Sequence, residues 1–114
     1  MATVRAMGAL LVLLLFSGCA TTETNSYKII GSIAVTVDAA MNGWGDYVRA
    51  GKASAEDELV VKGAYQQYQE AMRVAHSAVN LYLVDKNRPA LELALDTLMA
   101  NKNALVTIVE RLMQ

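Results

Sequence analysis

Seven apolar residues in the middle of the chain repeat with the spacing of a helical seam. Val61, Tyr65, Tyr68, Met72, Ala75, Val79 and Tyr82 follow one another at steps of four, three, four, three, four and three. These steps put all seven on one side of an α-helix, as the a and d positions of three successive heptads. A strand would scatter them over both faces. An apolar stripe of that length is stable only when covered, so the chain must bury one long helix against others. Ser54 stands just before Ala55, Glu56 and Asp57. Its hydroxyl suits an N-cap, and acids in the first turn suit the positive end of the helix dipole. The predicted helix covers residues 54–84, a rod about 45 Å long.

Two more segments carry the same period. After Asn87-Arg88-Pro89, Leu91, Leu95, Leu98, Leu105, Val109 and Leu112 step by helical intervals, with Asn101 and Lys102 interrupting them. Proline is tolerated in a first helical turn, and Ala94 and Ile108 widen the apolar face. Residues 85–88 leave room only for a tight connection, so the two helices should run antiparallel. Over residues 26–50 two patterns compete. Ile33, Val35 and Val37 alternate as a strand would. Tyr27, Ile30, Ala34, Val37, Met41, Trp44 and Val48 step as a helix would. A lone strand has no partner in this chain, so helix is the better prediction, with Gly51 as its left-handed stop.

The expected fold class is therefore all-α, an up-down-up three-helix bundle over residues 27–114. With 114 residues and 54% apolar content there is room for one domain and no sign of disorder. Association between copies is the competing arrangement. Seams this regular also zip between chains, and Gly31, Gly43 and Gly45 would let another helix approach closely. Ten Lys and Arg against eleven Asp and Glu are interspersed, giving a formal charge of −1. No basic stripe is present, which argues against a nucleic-acid partner.

The start of the chain differs in character. Arg5 is followed by residues 6–16, eleven without a charge, and then by Ser17, Gly18 and Cys19. Eleven helical residues reach about half of a hydrocarbon core ~30 Å thick, the length of a signal-peptide hydrophobic region rather than a span. Small residues before the cut let a peptidase hold the chain extended. One cysteine cannot form an internal disulfide, so in an exported protein it asks for another explanation.

At these residues the chain resembles the bacterial lipoprotein signal, or lipobox: Leu, a small residue, Gly or Ala, then Cys. Ser17, Gly18 and Cys19 match, and Phe16 stands where Leu is commoner. The resemblance covers about the first twenty residues. It implies a diacylglycerol on the Cys19 sulfur, cleavage between Gly18 and Cys19, and N-acylation of the new amine by a fatty acid such as palmitate. The lipid would then be the only cofactor-like group. Residues 1–18 would be the signal peptide, and residues 19–26 the lipidated cysteine and a polar tether. Ala20 lacks the Asp that retains such proteins in the inner membrane of enteric-type bacteria. That implies the outer membrane, at its periplasmic face or the cell surface. Plain secretion and an uncleaved anchor are the other readings of this leader.

Residues 41–47 form a local cluster in which Gly43 and Gly45 flank the only tryptophan. Glycine costs a helix about 1 kcal/mol against alanine. Either Trp44 anchors the core, or Trp44, Tyr47, Gly43 and Gly45 form an interaction surface. Tyr65, Tyr68 and Tyr82 could line a small cavity beside Trp44 instead. His76 is the only histidine, too few for a zinc site, and reads as a surface residue. Asp38, Asp46, Glu92 and Asp96 lie near apolar stripes, with nothing to set any pair at a catalytic separation. No phosphate loop, His-Glu-x-x-His or Cys-x-x-Cys motif occurs, so neither an enzyme nor a metal site is expected. The expected role is that of a membrane-anchored lipoprotein with a structural or protein-interaction function in the cell envelope. Phage and prophage lipoproteins fall within that class. Its partners would be the membrane, through lipid, and an envelope protein or a second copy. The alternative is a carrier or sensor for small apolar ligands, using an inter-helix pocket near Trp44.

Overall fold

Local signals set where each helix starts and stops. A computed structural model describes residues 22–114, with side chains from Thr24 onward. It contains α1 (Thr22–Arg49), α2 (Ala55–Asp85) and α3 (Arg88–Leu112), and no strand among the described residues. Ser54 is extended, and its Oγ accepts a hydrogen bond from the Asp57 N–H at 3.0 Å, as an N-cap does. Gly51 has φ +75°, where a Cβ would be strained. Its N–H donates to the Val48 carbonyl at 2.9 Å, and the Lys52 N–H reaches back to Tyr47 at 3.3 Å. These crossed bonds satisfy two carbonyls that the end of α1 would otherwise leave open.

The α2–α3 connection is only Lys86 and Asn87. Lys86 takes the left-handed conformation at φ 56° and ψ 29°, and its N–H donates to the Tyr82 carbonyl at 3.0 Å. Asn87 then caps α3, with its Oδ1 accepting from the Ala90 N–H at 3.1 Å and Pro89 in the first turn. So short a link folds α3 back along α2.

Packing follows the seams. On α2, Val61, Tyr68, Ala75 and Val79 are buried, and Tyr65, Met72 and Tyr82 pack against them half-buried. On α3, Leu91, Leu98, Leu105 and Val109 are buried, with Leu95 and Leu112 half-buried beside them. Burying each of these leucines contributes about 1.5–3 kcal/mol. The helices form the expected up-down-up bundle. The α2–α3 contact is the most extensive, and α1 rests on both, more on α3.

Helix α1 corrects two expectations. It begins at Thr22, inside the stretch read as a polar tether, and Ser26 is 2% exposed. Its buried stripe is Ser26, Ile30, Ile33, Val37 and Trp44, whereas Tyr27 stands 46% exposed and Ala34 only half-buried. The apolar pairs Ile29-Ile30 and Ile33-Ala34 offer two adjacent stripes, and the helices beneath decide which turns inward. The strand-like alternation is resolved as well. Ile33 and Val37 are buried one turn apart, while Val35 between them is 70% exposed. A strand would have aligned all three.

Candidate functional site

Trp44 enters the core at the end of the bundle where α1 ends and α2 begins. It is 6% exposed and stacks on Tyr47, with ring centroids 5.5 Å apart and planes at 24°. The Tyr47 hydroxyl donates to the Leu112 carbonyl at 3.1 Å, joining the ends of α1 and α3. A Cβ on Gly43 would meet the Met113 methyl at 3.8 Å, an ordinary contact. One on Gly45 would meet the Arg49 guanidinium at 3.3 Å, which a flexible side chain can relieve. The cluster thus docks α1 onto α3, with its indole inside.

Two open grooves run between α1 and α2. One, about 560 Å³, lies beside Trp44 and is lined by Met41, Val61, Lys62 and Tyr65. The next, about 470 Å³, holds Asp38, Tyr68, Arg73 and His76. Tyr65 and Tyr68 meet with centroids 5.9 Å apart. Tyr82 does not join them; it stands at the far end of α2, where the Lys86 ammonium lies 5.2 Å from its ring centroid. Burial, reinforced by Asp38 and Tyr65, holds the Tyr68 phenol above its ordinary pKa. His76 is exposed, as expected of a surface residue.

Three acids pair with arginines one turn away on their own helices. Asp46 pairs with Arg49, Glu70 with Arg73 at 2.6 Å, and Glu92 with Arg88 at 3.5 Å. The Arg73 guanidinium lowers the Glu70 pKa through their hydrogen bond. All three pairs are solvated, and such pairs contribute little to stability. Among the described residues, no three His, Cys, Asp or Glu side chains converge as metal ligands, and no helix is long and apolar enough to cross a membrane. Gly18 and Cys19, the expected cleavage and lipidation residues, lie outside the described residues.

One surface escaped sequence reasoning. The outer groove between α2 and α3 is lined by Ala71, Val74, Ala90, Leu93 and Ala94, with a volume of about 490 Å³. It continues along the hairpin past Gly63, Ala64, Ala104 and Ile108. Its floor is small residues beside the seams, and its walls are exposed apolar ones: Leu93 is 68% and Val74 40% exposed. Ala71 and Ala90, off the counted heptad positions, and Ala94, counted only as widening the apolar face of α3, were the signal available. Comparison with known proteins finds no matching family model, curated protein or solved structure.

Proposed function

We propose that this chain is the precursor of a bacterial lipoprotein. Residues 1–18 direct export, Cys19 carries a diacylglycerol and an N-acyl chain, and the bundle is held at the outer membrane. There it serves as a structural or interaction component, with no catalytic role. The observation that carries this reading is Ser17-Gly18-Cys19 directly after eleven uncharged residues. Each buried methylene adds about 0.8 kcal/mol of membrane affinity, and two or three acyl chains suffice for stable anchoring. The outer groove of α2 and α3, with its small floor and apolar walls, supports a role in contacting another envelope helix.

Intact mass spectrometry of the membrane-extracted protein, beside a Cys19→Ser variant, tests the anchor. The expected product lacks residues 1–18 and carries lipid mass, and the variant keeps its leader and gains none. A mature chain beginning elsewhere, or an unmodified Cys19, would overturn the reading.

A further inference from the structure

The last turn of α2 breaks the pattern of the rest of the helix. Leu81, Tyr82, Leu83 and Val84 are four consecutive apolar residues, so they point around the whole circumference rather than to one side. Leu81 is 58%, Leu83 49% and Val84 83% exposed. An apolar run of this kind is out of place on a water-facing surface. Exposed Tyr27, in the second turn of α1, lies toward the same end of the bundle. Trp44 lies beside Val61, and Ile30 lies beside Tyr68 and Met72. That antiparallel register brings the start of α1 level with the end of α2 and the start of α3.

What covers this end follows from where the chain leads. Cys19 stands three residues before Thr22, so at most about 11 Å of chain separates it from α1. We propose that this tip of the bundle docks on the lipid surface itself, with Leu81, Leu83 and Val84 seated between headgroups and acyl chains. The inference rests on Cys19 being the lipidated residue, because its acyl chains then hold this same end against the bilayer. Tyr82, apolar in its ring and polar at its hydroxyl, is of a type that favours headgroup depth. Asp85 follows and then Lys86, whose ammonium already lies over the Tyr82 ring; such a side chain lays its stem along apolar surface and keeps its charge at the polar boundary. The bundle then stands upright, and the groove between α2 and α3 runs away from the membrane, open to a partner along its length.

The test uses the full-length protein purified from membranes with its acyl chains. Val84→Cys, or Val60→Cys at the opposite end of α2, receives an environment-sensitive fluorophore. Each is reconstituted into vesicles of phosphatidylethanolamine and phosphatidylglycerol. Thioether-bound Cys19 does not react, so each variant takes one label. Lipids spin-labelled near the headgroup should quench the probe at position 84 several-fold more than the probe at position 60. Equal quenching at both positions overturns the proposal. So does self-quenching between position-84 probes with little quenching by lipid, which would mark tip-to-tip contact between copies. Two labels per chain with an unlipidated mass would remove the anchor, and the proposal with it, a result distinct from either quenching pattern.

Discussion

The Tyr47 hydroxyl donates a hydrogen bond to the Leu112 carbonyl at 3.1 Å, across 65 residues of sequence. The last carbonyls of a helix have no partner within it, so this bond ties off the end of α3 while fixing the end of α1 beside it. Tyr47→Phe keeps the stacking on Trp44 and removes only the bond. Urea unfolding should show a loss of about 0.5–1.5 kcal/mol. Amide exchange should quicken in the last turn of α3, and an unchanged midpoint would mean that water replaces the bond at no loss.

Two left-handed residues should respond in opposite directions. At Gly51, with φ +75°, Gly51→Ala should destabilise by about 1 kcal/mol. At Lys86, with φ 56°, Lys86→Gly relieves the same strain. It forfeits the ammonium contact with Tyr82, so the net gain should be about 0.5 kcal/mol. Parallel denaturant curves on the two variants check the sign of each.

Leucine to alanine should separate the two faces of α3. Leu98 is fully buried, and Leu98→Ala should cost about 2–5 kcal/mol through the cavity it leaves. Leu93 is 68% exposed, and Leu93→Ala should stay within about 0.5 kcal/mol. Similar losses at both would place Leu93 in a buried interface between copies.

The bundle should weaken in alkali partly through Tyr68. Its phenol is held neutral in the folded protein, with its pKa above the ordinary value near 10. That contribution is complete below the ordinary value. It is lost as pH rises past it, because the unfolded chain ionises first. Stability measured from about pH 9 to about pH 11 should therefore fall less steeply in Tyr68→Phe than in the parent. Identical slopes would assign the alkaline loss to other groups.

The seam of α2 was legible because one apolar stripe dominates it. Val61, Tyr68, Ala75 and Val79 all went inside, and Ser54 and Gly51 bounded their helices as their chemistry predicts. The inward face of α1 was less legible. Hydropathy does not mark Ser26 as a buried residue, and neighbouring apolar pairs left Tyr27 and Ile33 as rivals. Of the candidate site, Trp44 could be read as a core anchor, but the docking of Tyr47 on Leu112 joins distant segments that no local pattern connects. The groove between α2 and α3 exists only once both helices are paired, so Ala71 on one and Ala90 and Ala94 on the other did not point to a shared surface.

The ion pairs Asp46–Arg49, Glu70–Arg73 and Arg88–Glu92 each span a single helical turn, never two helices. Screening them with salt loosens individual turns slightly but leaves intact the leucine and valine contacts between rods. A bundle cemented in this way keeps its shape through swings in ionic strength.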